Sequence, residues 1–88
     1  MKEDDKNDEE EYREVVGKIV KKYRKLNGMS QTDLARVSDL GITTINEIEN
    51  GRANFSAETI ISVLRPLRIN FTDALKILLK DNPPDQNP

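Results

Sequence analysis

Apolar residues are spaced along this chain in helical periods. Tyr12, Val15, Val16, Ile19, Val20, Tyr23 and Leu26 recur at intervals of three and four, which lays one broad apolar stripe along a helix. The pattern predicts a first helix from about Glu10 to Asn27, stopped by Gly28. Lys18, Lys21, Lys22 and Lys25 fall on its other, solvated side.

Two much shorter helices are predicted between Ser30 and Gly51. Ser30 can cap the first of them with its hydroxyl while Asp33 reaches back to the Ser30 amide, a capping box. Leu34, Ala35 and either Val37 or Ser38 then supply the inward face. Asp39-Leu40-Gly41 breaks the helix and buries one apolar side chain in the bend. Gly41 serves as N-cap of the next helix, where Ile45 and Ile48 point inward at helical spacing, and Gly51 ends it. Helices of this length are marginal without tertiary packing, so the pair needs the flanking elements as a scaffold.

Ser56 can cap a fourth helix from Ala57 to about Arg65, with Ile60, Ile61, Val63 and Leu64 available for burial. Pro66 would clash with a carbonyl one turn back, so this helix should end or bend there. Asn70 and Asp73 are a second cap pair, opening a fifth helix from Phe71 to about Lys80. Phe71, Ala74, Leu75 and Leu78 face inward on it, and Ile77 and Leu79 are left over. Nothing alternates long enough to predict a strand. The fold class expected is all-α, a compact bundle of five helices, with residues 10–80 as the domain and residues 1–9 and 81–88 as disordered tails.

Charge changes the picture. The formal net charge is −2, yet residues 1–11 hold seven acids against two lysines and residues 81–88 add two aspartates. The stretch from Tyr12 to Lys80 has twelve Lys or Arg against seven Asp or Glu, so the predicted domain is basic and suits a polyanion. The chain has no cysteine and no histidine. No disulfide or thiolate metal site can form, and the commonest general base and metal ligand are both missing. An enzyme, a cofactor and a bound metal are therefore not expected. No apolar run reaches the length of a membrane span, and the acidic start is unlike a signal peptide, so a cytoplasmic protein is expected.

The glycine-ended first helix, S-Q-x-x-L-A, the bend, I-x-x-I-E-N-G and the capped fourth helix together resemble the phage-repressor and Cro-like helix-turn-helix family (the XRE family). The resemblance runs from about Ile19 to Leu75, without a gap from Gln31 to Gly51. It implies that the third helix enters the major groove of double-stranded DNA. It also implies that Gln31, Thr44, Asn50, Arg52 and Asn54 contact backbone phosphate, that Gln31 in addition buttresses the recognition helix, and that Arg24 and Glu49 form a structural salt bridge between the first helix and the end of the third.

Helical geometry completes the expected site. With Ile45 and Ile48 inward, Thr43, Asn46, Glu47 and Asn50 fall on the opposite side. Thr43, Asn46 and Glu47 are the expected base contacts, and asparagine can pair bidentately with adenine. Ile42 has two readings: the resemblance puts it first in the groove, against a thymine methyl, whereas its spacing from Ile45 turns it inward. The sequence departs from the family with Asp39 in place of a glycine at the bend, Gly41 in place of a Ser or Thr cap, Glu47 at a position often basic or Gln, Pro66 within the fourth helix and Arg68 in place of a following glycine.

The leading expectation is a sequence-specific transcription regulator, a repressor binding a palindromic operator as a homodimer, with Phe71, Ile77 and Leu79 as dimer contacts. The alternative is an antitoxin that binds its own operator and also a toxin protein, its acidic N-terminal and Pro-rich C-terminal segments folding on that partner. A third reading is a helix-turn-helix used only for protein interaction, which Glu47 and the acidic ends favour.

Overall fold

The computed structural model describes residues 8–70, 72–74 and 76. Four helices precede the start of a fifth: α1 Asp8–Leu26, α2 Gln31–Ser38, α3 Ile42–Glu49 and α4 Ala57–Leu64. Residues 72–74 and 76 are helical and belong to the fifth, which opens on Asn70. The Asn70 side-chain oxygen accepts from the Asp73 amide at 2.7 Å and its carbonyl from the Ala74 amide at 3.0 Å. No strand occurs among the described residues, and none of their helices is long and apolar enough to cross a membrane. The dimer contacts expected at Phe71, Ile77 and Leu79, and the inward positions Leu75 and Leu78, lie outside the described residues.

α1 begins two residues earlier than its apolar pattern suggests. Asp8, Glu9, Glu10 and Glu11 fill its first turn, where negative charge suits the helix dipole. Each helix then stops on one backbone device. A residue in left-handed conformation follows the last turn and folds two amides back onto its carbonyls. Gly28 (φ 70°), Asp39 (φ 60°), Gly51 (φ 72°) and Arg68 (φ 63°) hold these positions. The return bonds are Met29 to Arg24, Leu40 to Ala35, Arg52 to Glu47 and Ile69 to Leu64, at 2.9–3.3 Å. Two departures from the family pattern are thereby located. Asp39 and Arg68 carry out a glycine's conformation with a side chain attached. Pro66, lacking an amide, coincides with the end of α4 at Leu64, and residues 65–68 continue as a turn.

The core is a single cluster, with Val20, Leu34, Ile45, Ile48 and Val63 fully buried and Val16, Ile60, Leu64, Leu67 and Ile69 nearly so. Each large aliphatic side chain removed from water contributes about 1.5–3 kcal/mol. α3 lies centrally, packed on both α1 and α2, and α2 also meets α4. Asn27 ties the end of α1 to the corner after α4, donating to the carbonyls of Tyr23 at 2.7 Å and Leu67 at 3.3 Å. Three residues expected inward are not. Leu26 is 69% exposed, because the last turn of α1 runs past the edge of the core. Tyr12, near the other end, is half-exposed beside Phe55, with ring centroids 6.2 Å apart. Ile61 faces out from α4. Of the two alternatives on α2, Ser38 is buried and Val37 exposed.

The crossing of α1 and α3 is unusually close at Gly17, which is buried. A methyl group there would sit 2.4 Å from the Ile48 carbonyl oxygen and 2.9 Å from that of Glu49. Backbone meets backbone at this point, and only glycine permits it.

Candidate nucleic-acid interface

α2, the turn and α3 present one surface. The capping box is complete: the Ser30 hydroxyl accepts from the Asp33 amide, and the Asp33 carboxylate from the Ser30 amide, each at 2.9 Å. Asp33 also holds Arg36 at 3.1 Å. The Ser30 amide, then the Ser30 hydroxyl and Arg36, lower the Asp33 pKa from its ordinary 3.8. The box leaves the amides of Gln31 and Thr32 directed out of the helix end, where an anion is favoured. α3 has no side-chain cap, since Gly41 stands at its N-cap position.

On α3, Ile45 and Ile48 are fully buried. Thr43, Asn46, Glu47 and Asn50 are exposed and Thr44 is half-buried. Ile42 is 48% exposed, so of its two readings the outward one describes its place. It precedes Ile45 by three residues, but the uncapped start of the helix leaves it beyond the seam with α1 and α2. Arg52 and Asn54 are exposed in the following loop.

Beneath this surface lies a buried ion pair. The Arg24 guanidinium meets the Glu49 carboxylate with two bonds, Nε to Oε2 at 2.6 Å and Nη2 to Oε1 at 3.1 Å. Their side chains are only 10% and 2% exposed. Arg24 Nη1 also donates to the Met29 carbonyl at 2.8 Å. One side chain thus pins α1, the loop before α2 and the end of α3. Glu49 is thereby neutralised, and an acid beside the outer face of α3 need not repel phosphate.

The pair is continued outward by amides. Gln31 Nε2 donates to Glu49 Oε1 at 3.0 Å, Asn46 Nδ2 reaches Gln31 Oε1 at 3.5 Å, and Asn50 Nδ2 reaches Asn46 Oδ1 at 3.2 Å. The structure therefore brings Arg24, Glu49, Gln31, Asn46 and Asn50 into one connected set. Thr43, Glu47, Arg52 and Asn54 are exposed outside this set, and Ile42 lies at the uncapped end of α3.

One residue of the surface has no signal in the local sequence. Arg13, on α1, donates to Asn54 Oδ1 at 3.2 Å across 41 positions. It occupies the acceptor side of the Asn54 amide and leaves the donor side available. Gly17 was equally silent, although a glycine within an otherwise strong helix pattern is a cue to close packing. Among the described residues no cluster of acidic, His or Cys side chains could hold a metal ion.

Residues 20–73 match the helix-turn-helix family HTH_3. The control protein C.SmaI of Serratia marcescens is 32% identical over 63 residues, 72% of this chain and 75% of that protein. Among solved structures, the wild-type restriction-modification controller protein C.Esp1396I matches with a TM-score of 0.73 at 29% identity, covering 78% of this chain and 91% of that one. That controller also has a structure as a tetramer in complex with its natural 35 base-pair operator. The clp gene regulator ClgR of C. glutamicum matches with a TM-score of 0.69 at 30% identity, over 73% of this chain and 82% of its own.

Proposed function

We infer the function from one premise: the chain belongs to the HTH_3 helix-turn-helix family, whose members here are DNA-binding regulators. We propose that this protein binds a two-fold symmetric operator as a homodimer in the cytoplasm, lays α3 in the major groove, and represses the promoter it covers. A single short reading helix specifies few base pairs, and a two-fold pair of them supplies the rest. The operator-bound tetramer of C.Esp1396I supports an assembly of more than one chain on DNA. Phe71, Ile77 and Leu79, outside the described residues, are the proposed dimer contacts.

The observation that carries the proposal is the division of α3: Ile45 and Ile48 are sealed in the core while Thr43, Asn46 and Glu47 stand open to solvent. Thr43 and Asn46 can donate to or accept from base edges, Glu47 can accept from cytosine, and Ile42 meets a thymine methyl. Thr44, Arg52 and Asn54 hold phosphate through their side chains, and Gln31 through its backbone amide, one of the open amides at the starts of α2 and α3. Asn50 borders both sets.

Selection of bound sites from a random duplex library tests this. The expected result is a two-fold motif with half-sites about 34 Å apart or a multiple of that. Affinity should fall steeply with salt, and Arg52→Ala should lessen the log–log salt slope by about one. Absence of DNA binding at low salt would overturn the proposal. A monomeric mass at tens of micromolar, both free and on DNA, would overturn the dimer.

A further inference from the structure

The amides on the outer face of α3 have a direction, and the buried acid sets it. A carboxylate only accepts hydrogen bonds. Glu49 therefore requires Gln31 to turn its nitrogen inward, 3.0 Å from Oε1. Gln31 Oε1 is then left facing outward, where only a donor can meet it, and Asn46 offers its nitrogen at 3.5 Å. That orients the Asn46 amide as well. On its far side Asn46 Oδ1 accepts from Asn50 Nδ2 at 3.2 Å, and the same Asn50 nitrogen donates to the Asn46 backbone carbonyl at 2.9 Å.

Hydrogen accounting shows what remains. An asparagine amide has two N–H donors and an oxygen with two lone pairs. Asn46 has one N–H on Gln31 and one lone pair taken by Asn50. One N–H and one lone pair of the Asn46 amide are left for whatever lies outside. Asn50 turns its amide nitrogen onto both Asn46 oxygens, and its own backbone amide donates to the Asn46 carbonyl as well, at 3.1 Å. Its nitrogen is thus drawn onto α3 and away from a phosphate.

In the major groove one base displays the complement of a donor beside an acceptor: adenine, with N7 accepting and the N6 amino group donating. Guanine shows two acceptors there, and would need the Asn46 amide to present two donors. We infer that Asn46 reads an adenine, and that Gln31 and Asn50 are positioning residues that hold its amide in the adenine-reading sense, with Asn50 serving α3 rather than the phosphate backbone. The inference rests on the operator-binding function proposed above and names the base that function requires.

The test is binding-site selection with the full chain, comparing wild type, Asn46→Ala, Gln31→Met and Asn50→Ala, each checked for an unchanged melting temperature. The step of interest is the one whose preference Asn46→Ala removes. Wild type should favour adenine over guanine there by about tenfold or more, the discrimination of one bidentate contact. Gln31→Met and Asn50→Ala should each reduce that preference about threefold or more, leaving preferences at other steps in place. A general packing role would lower affinity evenly and spare the preference. The inference is overturned if Asn46→Ala removes no preference, if the base lost is not adenine, or if both neighbours can be replaced without changing it. Asn50→Ala that weakens binding evenly, with a shallower salt dependence and the adenine preference intact, would assign Asn50 to phosphate and overturn its role here. A wild-type protein that enriches a motif yet fails these comparisons refutes the relay alone; one that binds no DNA refutes the operator-binding reading beneath it.

Discussion

Replacing Gly17 by alanine sets two well-measured tendencies against each other. Alanine is the better helix former by about 1 kcal/mol, so a reader of the sequence alone would expect α1 to gain stability. The structure gives the opposite sign. The added methyl would lie 2.4 Å from the Ile48 carbonyl oxygen, 2.9 Å from that of Glu49 and 3.1 Å from the Glu49 carbonyl carbon. A carbon–oxygen contact is comfortable near about 3.3–3.6 Å, so α1 and α3 must part by roughly 1 Å. Nothing at this site can swing aside, since every obstructing atom is helix backbone. Overpacking of this kind costs about 1–3 kcal/mol, and rigid backbone on both sides puts this case in the upper half. After the gain in helix propensity, a net loss of about 1–2 kcal/mol remains. For a domain of this size that lowers Tm by roughly 5–15 °C. Urea denaturation followed by circular dichroism measures it directly, with Gly17→Ser as a graded second variant. A Gly17→Ala protein as stable as the parent, or more so, would show that the helices are not in contact there and would refute the reasoning.

Other substitutions probe the ion pair, the helix stops and the capping box. Glu49→Ala leaves the Arg24 guanidinium buried without its partner and should cost about 3–5 kcal/mol in a thermal or urea melt, whereas the paired change Arg24→Met with Glu49→Leu should recover most of that loss. Arg68→Gly relieves a side chain held at φ 63° and should gain up to about 1 kcal/mol; Asp39→Gly should gain less, because aspartate tolerates that conformation, and equal gains would count against the distinction. The lowered pKa of Asp33 means that its stabilising contribution is present above 3.8 and lost as pH falls through its folded-state value below that. In acid titrations of stability, wild type and Asp33→Asn should therefore differ by a constant amount at neutral pH and converge in strong acid; a gap that persists there would remove the capping box from the account.

How much of this was readable in advance follows from the range of each interaction. The capping box at Ser30, the left-handed stop at Asp39 and the end of α4 at Pro66 depend on residues within one or two turns, and the chain spells them out. Leu26 is exposed where the apolar stripe predicts burial, because periodicity gives a side chain's direction but not where the neighbouring helices end. Ile42 stayed open for a related reason: its fate turns on where an uncapped helix begins relative to the seam. Gly17 and the Arg13–Asn54 bond join α1 to elements about thirty and forty residues further on, and no local pattern encodes such a meeting. The amide directions around Asn46 were also out of reach, since they follow from Glu49 being buried against Arg24.

These long-range features share one end. The helix proposed to read DNA starts on a glycine N-cap with no side-chain bond, unlike α2 and α4 with their serine caps, so little of its placement comes from its own sequence. It is held from its C-terminal half instead. Gly17 sets how near it approaches α1, Arg24 fixes Glu49, and Glu49 orients Gln31 and through it Asn46. Two of those determinants lie on α1, whose residues Gly17 and Arg24 are buried and cannot touch a duplex. Changes in the first helix should thus alter which bases are preferred without altering any contact to DNA, while changes at the exposed lysines of the same helix should leave preference untouched. That asymmetry is what a scaffold-set reading head requires, and a base preference indifferent to positions 17 and 24 in folded variants would mean that α3 is placed by the DNA and not by the protein.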